Sequence, residues 1–225
     1  MKPEAVKVIG LGGIGGCLVG VLTRFLVYSY DGEVRMTLID GDFFEPGNAV
    51  RQTFNRLGNK AEIWTETLQT QFPTLDVSAD PRFVTADNVI ELIRENDTIL
   101  LCVDNHRTRK LVSDRCGELQ NVLLISGGND VTDGTVQIYW RQGGDHKTPP
   151  LDKYHPEIAN PVDVGPGDAG CEQQIAGGQA QLVFMNNAVA AWMCNALYVC
   201  IQEVLNHSEV YIDMISNKAR AVWRE

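Results

Sequence analysis

The sequence predicts an α/β fold: a doubly wound, mostly parallel sheet with antiparallel strands at its C-terminal end. Short apolar runs alternate with longer helical patterns along most of the chain, which is the signature of strand-helix-strand units. The run at 98–103, TILLCV, is almost continuously apolar, as a strand covered on both faces must be. The first run stops at a glycine cluster that opens a helix, and parallel units of this kind begin with such a turn.

In chain order, residues 5–9 (AVKVI) form the first strand and 13–30 a long apolar helix. Residues 34–39 (VRMTLI) give a second β-rich run, and a polar loop with Pro46, Gly47 and Asn48 follows it. The helical period returns at 59–72, closed by Pro73. A strand is expected at 75–80, a short helix at 87–95, the buried strand at 98–103 and a helix at 108–119. Strands at 122–126 and 134–140 come next, with a polar turn between them. From 141 to 176 glycine and proline replace any periodicity, so this stretch is read as a long loop within one domain spanning 1–225. A long helix at 178–206 and a closing hairpin at 210–215 and 219–223 complete the chain.

Composition narrows the function. The chain has 225 residues, 19 basic and 29 acidic, and a formal charge of −10. That balance opposes binding to a phosphate backbone, so nucleic acid is not an expected partner. No run reaches the roughly 18 apolar residues of a membrane span, nor is there a leader pattern, and a cytoplasmic protein is expected. Six cysteines without a C-x-x-C pair make neither a disulfide scaffold nor a zinc knuckle. Cys17, Cys102, Cys194 and Cys200 lie in apolar stretches and read as core, whereas Cys116 is undecided.

Gly10-Leu11-Gly12-Gly13-Ile14-Gly15 fits G-x-G-x-x-G after a strand and at the start of a helix. There, backbone N–H groups and the helix dipole face a phosphate. Asp40 ends the next strand, where a carboxylate accepts bonds from both ribose hydroxyls. Together these residues specify a nucleotide with an intact ribose and do not separate NAD from ATP. If the nucleotide is ATP, its outer phosphates call for cations, and Arg51 and Lys60 are the candidates, although either could be a surface charge. Asp104 follows the buried strand at its carboxyl end, placed to hold Mg²⁺, to cap the next helix, or to do both.

The segment from Asp40 through Asp42, Glu45, Asn48, Arg51 and Gln52 to Gly58 and Lys60 is close to the D-x-D-x-x-E-x-x-N-x-x-R-Q and G-x-x-K pattern of the ubiquitin-activating superfamily. Cys102-Val103-Asp104-Asn105 with Thr108-Arg109 is similar to its C-T-D-N-x-x-T-R segment, and Gly170-Cys171-Glu172 to its closing cysteine segment. The chain thus resembles the ThiF, MoeB and HesA adenylating enzymes over roughly residues 5–205, and that resemblance implies their Rossmann-like fold. It further implies ATP and Mg²⁺ as cofactors, and adenylation of the C-terminal glycine of a ubiquitin-like or ThiS-like carrier. By the same resemblance Gly10, Gly12, Gly13 and Gly15 form the phosphate turn and Asp40 is the ribose acceptor. Asn48, Arg51, Gln52 and Lys60 are implied as triphosphate ligands, with Asp104 as the magnesium ligand. Asp42 is open between nucleotide or metal contact and loop structure.

Cys171 is the candidate to take the acyl group in a second step, and a homodimer is implied. The R-Y-x-R-Q helix and the zinc C-x-x-C pairs of many relatives have no counterpart here, so the arginine that helix supplies is expected to be missing or replaced. Two other readings stand beside this one. The first is a non-catalytic subunit that binds nucleotide or a ubiquitin-like fold. The second is an NAD-dependent oxidoreductase, for which Arg51, Gln52 and Lys60 have no purpose.

Overall fold

The computed structural model describes residues 2–50, 52–163 and 182–225. One sheet organises them, with strand order β11-β10-β8-β7-β6-β1-β2-β5 and β9 paired to β8. β1 (Ala5–Ile9), β2 (Arg35–Ile39), β5 (Asp76–Asp80), β6 (Asp97–Leu101) and β7 (Val122–Asn129) run parallel. β8 (Asp133–Gln142), β10 (Glu209–Asp213) and β11 (Lys218–Val222) continue the sheet antiparallel. A two-residue ribbon, β3 (Phe43–Phe44) against β4 (Gly58–Asn59), stands apart, and β9 is Asp145–His146. The fold class expected from sequence is the one observed.

Helices cover both faces. α1 (Gly13–Tyr28), α2 (Lys60–Gln71) and α6 (Val183–Ile201) pack on one side with Val6, Val8, Leu38 and Leu100. α3 (Val89–Leu92), α4 (His106–Gly117) and α5 (Pro156–Ala159) lie over Ile9, Ile39, Ile99 and Leu124 on the other. α6 is long and apolar enough by composition to cross a membrane, yet Met185, Val189, Met193 and Leu197 are fully buried against α1 and the β7–β8 hairpin. β6 is buried along its whole length, as its continuous apolar run requires. Asp97, its one charge, is neutralised by Lys7 Nζ at 2.6 Å and accepts the Arg94 N–H at 2.7 Å.

Several boundaries differ from the sequence reading for local reasons. β7 runs on through Gly127 and Gly128 because α6 and Arg109 fill the space their side chains would take; a Cβ on Gly127 would sit 2.2 Å from Met193 Sδ. α4 begins before Thr108 because Asn105, not Asp104, caps it, its Oδ1 accepting the Thr108 N–H at 2.8 Å. α6 stops at Ile201 because Glu203 adopts a left-handed φ of 56°. The 178–181 start proposed for that helix lies outside the described residues.

The described part of the glycine- and proline-rich stretch, 141–163, is folded rather than a free loop. Thr148 Oγ1 accepts the Trp140 N–H at 2.8 Å and donates to Ile138 O at 2.6 Å, while Leu151 and Ile158 are buried in the core. A charge cluster ties this stretch to the C-terminal strands. Glu209 pairs with His155 Nε2 at 2.9 Å and accepts from Tyr211 Oη at 2.7 Å and Arg224 Nε at 3.1 Å; His155 Nδ1 meets Glu157 at 3.0 Å.

Burial pushes the Glu209 carboxyl up, but hydrogen bonds from His155, Tyr211 and Arg224 outweigh it and hold the group at about 2. His155 is raised above its ordinary 6.5, first by its bond to Glu209, against burial and with help from Glu157. A depressed carboxylate stabilises above its ordinary 4.5 and fades as pH falls toward 2. A raised histidine stabilises below 6.5 and fades as pH rises through its folded-state value. Glu209→Gln is therefore expected to cost roughly 1–3 kcal/mol. The fall in Tm should be largest between pH 4.5 and 6.5 and narrow on either side, as read by thermal melts across pH. A pH-independent deficit would discount the titrating pair.

Candidate active site

A cleft of about 530 Å³ opens at the carboxyl ends of β1, β2, β6 and β7. The connection leaves β1 for β2 on one side, and β6 lies on the other, so the cleft sits where the winding reverses. Gly10, Gly12, Gly13, Asp40, Asp42, Gln52, Lys60 and Asp104 all line it. Gly15 and Asn48 are not among its lining residues. Arg51 and Cys171 lie outside the described residues.

The glycine turn is built by close approach. Gly10 has φ +86°, a conformation other residues rarely adopt. Its N–H donates to Ile39 O at 3.0 Å, pinning the turn to β2. Gly15 packs so tightly that a Cβ there would lie 2.0 Å from Gly10 O. α1 then starts at Gly12 with no side-chain cap, whereas Asn59 Oδ1 caps α2 by accepting from Ala61 and Glu62 N–H. α4 is capped by Asn105 and again by Asp163, which accepts from the His106 and Arg107 N–H groups. Of these three helix starts, α1 is the one left open, and its N–H groups and dipole face the cleft.

Asp40 is 8% exposed, with Oδ2 accepting the Leu11 N–H at 2.6 Å and Oδ1 the Asp42 N–H at 2.9 Å. These bonds fix the carboxylate's orientation and leave acceptor capacity on each oxygen. Burial raises its pKa despite both N–H donors and Lys60, so hydroxyl donors from a ligand would relieve an under-solvated anion.

Lys60 opens α2 and is 4% exposed. Its ammonium pairs with the Asp42 carboxylate and lies 5.9 Å from the centre of the Phe44 ring. The short loop that carries it is clamped in two ways: Phe44 stacks on Phe54 at 4.7 Å, and Asn59 Nδ2 donates to Asp40 O at 2.9 Å. Lys60 thus reaches the cleft through the β3–β4 ribbon, which periodicity does not reveal in elements of two residues each.

Asp104 is exposed at the mouth, and its carboxylate accepts no hydrogen bond from the described residues. It does not cap α4, since Asn105 does. Arg109, quoted earlier only as part of a motif, has a structural task. Its guanidinium donates to Val103 O at 2.9 Å and Gly127 O at 3.0 Å, tying the ends of β6 and β7 together, and burial lowers its pKa.

Sequence reasoning missed Asn129 and Asn186, which also line the cleft. The signal was a polar Asn186-Asn187 pair near the start of a largely apolar helix. Gln52 Oε1 and Asn186 Nδ2 are buried on the lining without a partner among the described residues.

Among the described residues no group of three His, Cys, Asp or Glu could by itself hold a metal ion. The described cysteines are poor nucleophiles: burial pushes the Cys200 thiol up to about 12 and Cys194 to about 11, and raises Cys17, Cys102 and Cys116.

The family model described as "ThiF family" matches residues 2–220. The mouse adenylyltransferase and sulfurtransferase MOCS3 is 31% identical over 190 residues, covering 78% of this chain and 39% of that protein. A probable molybdopterin-synthase adenylyltransferase of Porphyra purpurea is 30% identical over 149 residues, covering 64% and 37% respectively. The chain therefore spans less than two-fifths of the length of either relative. Among solved structures, E. coli MccB with ATP aligns at a TM-score of 0.71 and 20% identity, over 98% of this chain and 63% of that one. The microcin C7 biosynthetic enzyme MccB in complex with N-formylated MccA aligns at 0.70 and 21% identity, over 97% and 64%. At such identity the likeness is one of fold.

Proposed function

The chain belongs to the ThiF family, and from that premise we propose that it is an ATP-dependent adenylyltransferase acting on the C-terminal carboxylate of a ubiquitin-like or ThiS-like carrier protein. The observation that carries this reading is the convergence, on one cleft, of an uncapped glycine-started helix, an oriented buried Asp40, Lys60 and an exposed Asp104 that accepts no hydrogen bond from the described residues. The adenylyltransferases among its relatives and the fold likeness to MccB with ATP support it.

In this reading Asp40 accepts the ribose hydroxyls, and the N–H groups at the start of α1 bind the innermost phosphate. A carboxylate oxygen of the carrier's terminal glycine forms a bond to that phosphorus while the bond to the bridging oxygen of pyrophosphate breaks. The nucleophile is already ionised, so no proton moves, and the protein's work is positioning and electrostatic stabilisation. Lys60, poised by Asp42, is the described cation for the departing phosphates, with Arg51 and Gln52 assigned beside it.

Magnesium, when bound, offsets triphosphate and leaving-group charge. Asp104 fits the single carboxylate that this ion takes alongside phosphate oxygens and water. A second step, in which a thiolate sulfur bonds to the acyl carbon as the bond to AMP breaks and AMP leaves, is assigned to Cys171 by its resemblance to the family's crossover-loop cysteine.

The test is ATP–pyrophosphate exchange with small β-grasp carriers. Exchange is expected with a carrier ending in a free glycine carboxylate and absent when that terminus is a carboxamide. Binding of NAD in preference to ATP, or ATP binding without exchange against any such carrier, would replace the reading with the oxidoreductase or the non-catalytic subunit.

A further inference from the structure

Asn186 is a polar residue on the buried face of α6. It is 0% exposed, and its Oδ1 accepts from Asn129 Nδ2 at 2.9 Å. That bond fixes which way the carboxamide points. Its Nδ2 is left buried with no partner among the described residues. The same atom lies 2.5 Å from where a Cβ on Gly13 would stand, so the amide group occupies the space above the first turn of α1. Asn129, Asn186, Gly12 and Gly13 share the cleft wall. A buried donor without an acceptor is costly, and one held in place by a dedicated neighbour beside an open helix start is arranged for a ligand.

We infer that Asn186 donates through Nδ2 to a phosphoryl oxygen of the nucleotide at the start of α1, with Asn129 as its positioning residue. This rests on the ATP reading and adds a side-chain donor to the backbone groups of the glycine turn. The ligand chemistry is anionic: a neutral –NH₂ adds no charge to the cleft, and a phosphate oxygen supplies the acceptor that Nδ2 has not found among the described residues.

Calorimetry with ATP and with adenosine, on wild type, Asn186→Ala and Asn186→Asp, tests this. Asn186→Ala is expected to weaken ATP about ten- to hundredfold and adenosine by less than about threefold, because adenosine has no phosphate. Asn186→Asp keeps the acceptor for Asn129 but replaces the donor by negative charge, and should weaken ATP further. If Asp at this position prevents folding, the alanine variant decides alone. ATP bound by Asn186→Ala as by wild type, or ATP and adenosine weakened in equal proportion, would overturn the inference and leave the ATP reading intact. No ATP binding by wild type would overturn both.

Discussion

Asp104→Ala is expected to lower carrier-dependent pyrophosphate exchange at least about a hundredfold, with Tm unchanged within a degree or two. The two halves of that expectation have separate grounds. The stability half follows from what Asp104 does not do. Its side chain is exposed, it leaves the capping of α4 to Asn105, and it receives no hydrogen bond from the described residues. Surface substitutions away from such features shift stability little. The activity half follows from charge. Asp40, Asp42, Asp104, Asp130 and Asp133 line the cleft against Lys60, Arg82 and Arg109. Of these cations, Arg82 is bound to Asp80 and Glu91, and Arg109 to two backbone carbonyls. On the proposed reading a triphosphate entering such a field would bring a divalent counter-ion, and Asp104 is the one of these carboxylates left exposed and without a hydrogen bond from the described residues. Asp104→Glu should recover part of the exchange and shift its magnesium requirement, which a purely structural aspartate would not do. Undiminished exchange in the alanine variant would sink the assignment.

How much of this was legible beforehand depends on the range of the interaction concerned. β6 was readable because burial on both faces writes a continuous apolar run into the chain. The glycine turn and Asp40 were readable because strand, turn and helix are consecutive and each constrains its own residues. Asp104 was placed correctly at a strand end, yet its neighbour Asn105 took the capping role, since side-chain direction at a helix start is decided by φ and ψ rather than by residue type. Residues 127–129 looked like punctuation because glycine ends most strands; here it marks a helix pressed on the sheet from 60 residues away, which local pattern cannot carry. Asn186 was hidden for the same reason: its meaning lies in Gly13 and Asn129, both remote in sequence.

That same remoteness makes Gly15→Ala the most damaging single methyl in the glycine turn. The added Cβ would fall 2.0 Å from Gly10 O and 3.0 Å from Gly10 C, and neither side can yield cheaply. Gly10 is held by its N–H to Ile39 O at 3.0 Å, and rotating the 10–11 peptide would pull the Leu11 N–H away from Asp40. Backing α1 away would instead unpack Leu18, Val19 and Leu22, each fully buried. The expected cost is roughly 3 kcal/mol, or about 6–12 °C in Tm for a chain of this size, together with loss of nucleotide binding. Gly20→Ala, in the same helix with nothing within 4 Å of the new Cβ, is the matched control. It should raise stability by about 0.5–1 kcal/mol through helix propensity alone. Thermal melts of the pair give opposite signs if the turn is fixed by contact with Gly10; equal and small shifts would show that the turn relaxes, and the rigid phosphate-facing geometry inferred for it would have to be given up.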